Sequence, residues 1–199
     1  EDTERLMREA VKNGMVSRLS GQRILNELQL IFEEDTFQHT VEDLANYEIF
    51  QVKRSELKML PSSNRHAFYF LVSRLPNNII PLTKDVKAIV GDFRNITDII
   101  SQLQKTNKKS KIYSLLSPIA TAVTEAIPSI KPDLKDKVMT FHYLQKTKPL
   151  VSAKDLQKYG IGPAKHYTKL LNKIFALQLD KVLHSRKQAL EYLKTQKKK

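Results

Sequence analysis

The stretch Ser20–Phe32, which reads S-G-Q-R-I-L-N-E-L-Q-L-I-F, sets the pattern that most of this sequence follows. Ser20 is a residue type preferred at helix N-caps, because its hydroxyl can accept a hydrogen bond from a backbone N–H of the first turn. The apolar residues that follow return at intervals of three and four, which places Ile24, Leu28 and Ile31 on one face of a helix. The stretch therefore predicts an amphipathic helix with one buried side.

The same periodicity recurs on both sides of this helix. A capping box is indicated by Ser152 and Asp155, and Gly160 stands where a helix commonly ends in a left-handed residue. No hairpin signal interrupts the pattern, and the chain has only 5 glycines and 8 prolines. The sequence predicts an all-α fold, an elongated array of about ten short helices joined by short loops. Other residues predicted to begin helices are Asp35 or Thr36, Thr83 (at the start of a long segment that reaches Leu103), Ser110 and Ser185.

Charge is distributed unevenly along the chain. Residues 1–60 contain 8 Lys and Arg against 12 Asp and Glu, whereas residues 61–199 contain 26 against 9. With the loop at Pro128–Pro132 taken as a boundary, three segments are expected: helical segments over 1–60 and 61–130, and a basic helical tail over 131–199. A basic region gains free energy by releasing counterions from a polyanion, so nucleic acid is the leading partner. A lysine face that serves only solubility is the alternative.

The composition and the missing motifs exclude several kinds of site and partner. The chain has no cysteine, so disulfides and thiolate metal sites are excluded, and this suits a cytoplasmic protein. No apolar run has the length of a membrane span, and we expect no membrane partner. Glycine-rich phosphate loops and His-x-x-x-His pairs are also missing, and the five histidines are scattered. We therefore predict no catalytic residue, no metal ligand and no cofactor in this chain.

Basic residues gather in the last segment. Lys165, Lys169 and Lys173 are four residues apart, which places them near one another on one helix face. The start of a helix also offers free backbone N–H groups to a phosphate. The residues predicted to bind RNA are Lys154, Lys158, Lys165, His166, Lys169, Lys173, Arg186 and Lys187.

The stretch Arg18–Phe32 resembles the neck motif of class II tRNA nucleotidyltransferases and bacterial poly(A) polymerases, which reads approximately R-L-S-x-x-R-hydrophobic-x-x-E-L. Its distinctive residues here are Ser20, Arg23 and Glu27. Arg23 and Glu27 are four residues apart on the predicted helix and could form an ion pair that braces it. The resemblance implies that this helix supports the nucleotide pocket of the enzyme.

A second resemblance lies in the tail. The stretches Ser152–Leu156 and Gly160–Asp180, with Ser185 and Arg186 behind them, are similar to the tail signature of the same family. The stretch Ser110–Leu116 also resembles its body helix, K-P-S-x-I-Y-x-L-L. Four positions depart from the family pattern, and three of them replace a glycine, which puts in doubt a close backbone approach to RNA there: Ala153, Ala164, Lys165 and Lys181.

The resemblance implies a division of labour. This chain looks like the neck, body and tail of a tRNA nucleotidyltransferase that adds CCA, CC or A to tRNA 3′ ends, or of a poly(A) polymerase. The tail would grip the acceptor and T arms of tRNA. The catalytic head, which would hold Mg²⁺ and perform the transferase chemistry, belongs to the same polypeptide in the family but is not found in these 199 residues. The alternatives are a stand-alone helical RNA-binding protein and a protein-interaction scaffold.

Overall fold

The computed structural model describes residues 2–47, 49, 53–76, 79–161 and 167–196. All regular secondary structure in this part is helical, which confirms the predicted all-α fold. None of these helices combines the length and the apolar character that a membrane span requires. The thirteen α-helices are α1 (Asp2–Lys12), α2 (Gly21–Ile31), α3 (Phe37–Asn46), α4 (Arg54–Leu57), α5 (Asn64–Arg74), α6 (Lys84–Arg94), α7 (Ile96–Gln104), α8 (Lys109–Leu116), α9 (Thr121–Ile130), α10 (Lys135–Gln145), α11 (Ala153–Lys158), α12 (Tyr167–Leu179) and α13 (Arg186–Gln196).

Several predicted helix caps are confirmed. The hydroxyl of Ser20 accepts a hydrogen bond from the Arg23 N–H at 3.3 Å, and Thr83 accepts from the Val86 N–H at 3.4 Å. Ser185 caps α13 in the same way, with 3.2 Å to its N–H donor. These bonds satisfy backbone donors that have no partner within the first turn of a helix.

Two predictions about helix boundaries are wrong. The segment that follows Thr83 is not continuous, because α6 ends at Arg94 and α7 begins at Ile96, with Asn95 between them. The Asn95 side chain donates to the Gly91 carbonyl at 3.2 Å, a local bond that competes with continued helix. Pro128 lies inside α9 rather than in a loop. Because proline has no backbone N–H, α9 lacks one intrahelical hydrogen bond at this position.

The chain forms two compact units, and each combines stretches that lie apart in the sequence. Unit 1 comprises Glu1–Ile100 and Ile119–Lys135, and unit 2 comprises Ser101–Pro118 and Asp136–Lys199. The core of unit 1 is built mainly on α2, α3 and α5, whose buried side chains include Leu28, Phe37, Val41, Ala67 and Leu71. A core of unit 2 joins α11, α12 and α13 through buried side chains that include Leu156, Ile174, Ala189 and Leu193.

A carboxylate joins the two stretches within each unit. In unit 1, Asp92 on α6 accepts a hydrogen bond from the Ala120 N–H at 2.8 Å, at the start of α9. In unit 2, Asp180 accepts from the N–H and the hydroxyl of Ser110, at 2.9 and 2.7 Å, in the first turn of α8. The N-cap residues of these helices, Ala120 and Lys108, make no side-chain cap bond. Distant aspartates therefore supply the acceptors that the local sequence lacks.

Helices α11 and α12 end in the same backbone arrangement. After α11, Gly160 adopts a φ of 62°, and the Ile161 N–H bonds to the Leu156 carbonyl at 3.1 Å. After α12, Lys181 adopts a φ of 56°, and the Val182 N–H bonds to the carbonyl of the last α12 turn at 2.8 Å. This is the left-handed helix ending predicted at Gly160. At Lys181 a side chain with a Cβ holds that conformation, at a cost of about 1–2 kcal/mol.

Gly21, the first residue of α2, lies directly against the backbone of Ile79. A Cβ placed on Gly21 would lie 1.8 Å from the Ile79 carbonyl oxygen, a distance that no packed atom can occupy. Gly91, on α6, is a natural comparison because a Cβ there would meet no atom within 4 Å. The two glycines therefore differ in the space around them.

We expect Gly21→Ala to lower the free energy of unfolding by about 1–3 kcal/mol, because the backbone of one segment must move to accept the methyl group. Gly91→Ala should raise it by about 1 kcal/mol, because alanine is the better helix former and no atom opposes its methyl group. Urea unfolding followed by far-ultraviolet circular dichroism measures both. An alanine at position 21 that leaves stability unchanged would contradict the close approach to Ile79.

We expect Asp180→Ala to destabilise the protein by about 1–2 kcal/mol, because the first turn of α8 loses its acceptor. Hydrogen–deuterium exchange should become faster at the Ser110 amide and its neighbours. Glu191→Ala, which removes an exposed carboxylate from α13, is the control and should leave α8 exchange unchanged. Equal exchange in the two variants would show that Asp180 does not hold α8.

Candidate nucleic-acid interface

The two units carry very different charge. Unit 2 contains 19 Lys and Arg against 4 Asp and Glu, a net charge of +15, whereas unit 1 contains 15 against 17, a net charge of −2. Two of the four acids of unit 2, Asp155 and Asp180, are engaged in hydrogen bonds within the unit. The surface of unit 2 is thus dominated by cations that few neighbouring carboxylates neutralise.

The lysines of α11, α12 and α13 lie on the outer sides of these helices, whose inner sides form the buried core. The first two predicted side chains, Lys154 and Lys158, are one turn apart on α11, and both are exposed. On α12, Lys169 and Lys173 are likewise one turn apart and exposed. Lys187 is exposed in the first turn of α13. Burial of the apolar stripe of each helix is what turns these side chains towards solvent.

Two tyrosines connect the lysines of these three helices. The Lys173 Nζ atom lies 5.7 Å from the centre of the Tyr192 ring, which links α12 to α13. The Lys194 Nζ atom lies 5.7 Å from the centre of the Tyr159 ring, which links α13 to the end of α11. Both distances suit a cation–π contact. We call the set formed by these contacts and their exposed helix neighbours the lysine–tyrosine surface, in which the two tyrosines are partly buried: Lys154, Lys158, Tyr159, Lys169, Lys173, Tyr192 and Lys194.

The structure gives Arg186 a partner within the unit. Its guanidinium donates to the Leu150 carbonyl at 2.9 Å and to the Asp155 carboxylate at 2.6 Å, although 58% of the side chain remains exposed. Lys165 and His166, two further residues predicted to bind RNA, lie outside the described residues. Sequence reasoning missed Lys194 and both tyrosines. The polar stripe of an amphipathic helix was the available signal for Lys194, but the ring contacts join separate helices and leave no local pattern.

The neck-like motif lies in unit 1. Ser20 caps α2, while Arg23 and Glu27 are both exposed, and no ion pair joins them among the described residues. A cleft of about 550 Å³ opens beside the start of this helix, between Gly21 and Gln22 on one side and the segment 79–82 on the other. Neither Arg23 nor Glu27 is among its described lining residues. The role of the motif in supporting a nucleotide pocket stays a prediction.

Within the described ranges, no three His, Asp or Glu side chains lie close enough together to ligate a metal ion. The candidate site is the cationic surface of unit 2.

The Asp155 carboxylate joins two helices of unit 2. Its carboxylate accepts from the backbone N–H of Ser152 at 2.8 Å and from the Ser152 hydroxyl at 3.0 Å, which confirms that the carboxylate caps the start of α11. Arg186 also donates to this carboxylate, so Asp155 ties α11 to the start of α13. These donors, the Ser152 N–H foremost, hold the pKa of Asp155 below its usual range, against an opposing effect of burial. The residue is only 8% exposed, so little of the carboxylate meets solvent.

We expect Asp155→Asn to lower the free energy of unfolding by about 1–3 kcal/mol at pH 7. Because the pKa is lower in the folded state, the wild-type advantage is complete above about pH 4, the pKa of an unfolded aspartate, and is lost as the pH falls through the folded-state pKa. Thermal unfolding of both proteins from pH 7 to pH 2 tests this. The difference between them should shrink on the acid side, whereas Glu191→Gln, the exposed control, should show no such trend.

Comparisons with protein-family models, with curated proteins and with solved structures found no match to this chain. The charge of unit 2 and the geometry of its surface are therefore the features that a function has to explain.

Proposed function

We propose that unit 2 binds structured RNA through the lysine–tyrosine surface, and that this RNA is tRNA. The observation that carries the proposal is the concentration of charge: one unit bears +15 and the other −2 within the same chain. A chain that is basic merely to remain soluble would have an excess of cations over anions on both units. The charge of unit 1 shows that the chain is not basic throughout, so the excess of cations is a property of unit 2.

Polyanion binding is the physical use of such a surface. Lysines that neutralise phosphates release condensed counterions, and this release supplies much of the binding free energy. Tyr159 and Tyr192 hold two of the lysine ammonium groups over their rings, which limits the freedom these side chains lose on binding. Contacts of this kind read the phosphates and 2′-hydroxyls of an A-form helix rather than its sequence.

The choice of tRNA comes from the family resemblance. The body-like stretch Ser110–Leu116 and the tail-like stretch that ends at Asp180 meet in the hydrogen bonds between Ser110 and Asp180. That contact joins the two stretches whose sequences resemble the nucleotidyltransferase family, which supports a relationship to that family. Within this proposal the chain is the tRNA-binding part of a tRNA nucleotidyltransferase. It grips the acceptor and T arms, and a head domain of the same polypeptide performs the Mg²⁺-dependent nucleotide addition.

We expect the triple variant Lys154→Glu, Lys158→Glu, Lys173→Glu to bind tRNA about tenfold more weakly or worse, with a shallower dependence on salt. The matched control is Lys12→Glu, Lys53→Glu, Lys84→Glu, which makes the same change of charge at exposed lysines of unit 1. Fluorescence anisotropy with labelled tRNA across a salt titration provides the measurement. Equal losses in the two variants would reduce the effect to net charge alone and remove the lysine–tyrosine surface as the site.

Specificity for tRNA needs a second comparison. The wild-type chain should bind tRNA more tightly than an unrelated RNA hairpin of equal length at moderate salt. Equal and steeply salt-dependent binding to both would indicate a general RNA-binding surface without a preference for tRNA. Absence of binding to either RNA would refute the proposal and favour a protein-interaction scaffold.

A further inference from the structure

Three clefts follow one another across unit 2. The first, of about 470 Å³, lies between the end of α7 and α8 and is lined by Lys105 and Lys111. Ser114 lines both this cleft and the second, of about 360 Å³, between α8 and α12. Asn172 and Phe175 line both the second cleft and the third, of about 370 Å³, beside the segment 149–152. Because neighbouring clefts adjoin at shared residues, we treat the row as one feature and call it the α8–α12 groove.

The middle cleft offers an aromatic wall beside free polar groups. Tyr113 and Phe175 pack edge to face with their ring centres 5.3 Å apart, and both rings are only partly buried. Asn172 is exposed, and its side-chain amide makes no hydrogen bond within the described residues. An aromatic side chain beside a free amide is the combination that proteins use to hold an unpaired nucleobase, by stacking and by hydrogen bonds to its edge.

The charge around the α8–α12 groove suits the same ligand. Lys105 and Lys111 stand at one end, and Lys169 lies one helical turn from Asn172 on α12. No carboxylate belongs to the described lining of any of the three clefts. Two acids lie behind the lining and are held there by hydrogen bonds: Asp180 is bound to Ser110 of the middle cleft, and Asp155 is bound to Ser152 of the third. An anionic chain that follows the groove therefore meets lysines at one end and no carboxylate in the described lining.

We propose that the α8–α12 groove holds an unpaired strand of the bound RNA, with a base in the middle cleft against Phe175 and its edge hydrogen-bonded by the Asn172 amide. The phosphates of this strand lie towards Lys105 and Lys111. This inference rests on the proposed function and adds to it a second contact of a different kind. The lysine–tyrosine surface suits the backbone of a duplex, whereas recessed clefts with an aromatic wall suit bases that are not paired.

The test compares two RNA probes, a blunt hairpin and the same hairpin extended by a short unpaired tail at one end or the other. For the wild-type chain the tail should strengthen binding about fivefold or more, the range expected when one base stacks on an aromatic side chain. In Asn172→Leu most of that gain should disappear, while binding of the blunt hairpin stays at the wild-type level. Asn172→Asp, which keeps the size of the side chain, should also lose the gain, because its carboxylate repels phosphate.

Gln157→Leu is the matched control, since Gln157 is exposed on α11 and lines none of the three clefts. It should keep the full effect of the tail. If the wild-type chain binds the blunt hairpin and the tail adds nothing, the inference is overturned while the proposed function stands. A tail effect that survives both Asn172 substitutions also overturns it. If neither probe binds, the proposed function fails, and the inference fails with it.

Discussion

The bond between Asp180 and the first turn of α8 is the contact on which unit 2 depends. The N-cap residue of α8, Lys108, makes no side-chain cap bond, so the acceptor for the free N–H groups of the first turn comes from elsewhere in the fold. Asp180 supplies it from the end of α12 and thereby holds two helices of separate stretches together. The middle cleft of unit 2 lies between these two helices. Asp92 acts in the same way at the start of α9, so both units use one physical device.

Local features of the fold could be predicted from the sequence, because their causes are local. Ser20 and Thr83 cap helices, and Gly160 ends one, because a hydroxyl or a missing Cβ acts within a few residues of its own position. The contact of Asp180 with Ser110 spans 70 residues and leaves no periodic trace. The break at Asn95 was missed for a different reason. The apolar pattern continues through it, and the helix stops where the Asn95 side chain bonds to Gly91 and its backbone N–H bonds to Asp92.

The candidate site could be predicted to the same extent. Lysines that occupy the polar side of an amphipathic helix are exposed when that helix packs, and Lys154 and Lys173 are exposed for this reason. Which lysines share one surface depends on contacts between helices, such as that of Lys194 with Tyr159, and these require the fold. Arg186 shows the opposite limit. Its residue type and position suit RNA, yet its guanidinium holds Asp155 and a backbone carbonyl in place.

The interleaving of the two units has a practical consequence for dissecting the protein. The chain passes from one unit to the other three times, after Ile100, after Pro118 and after Lys135, so no single cut separates them. A fragment that begins at residue 136 would keep α11, α12 and α13 but would deprive Asp180 of its partner on α8. Isolating unit 2 requires a circular permutation or a designed linker that carries Ser101–Pro118 directly onto the remainder of the unit.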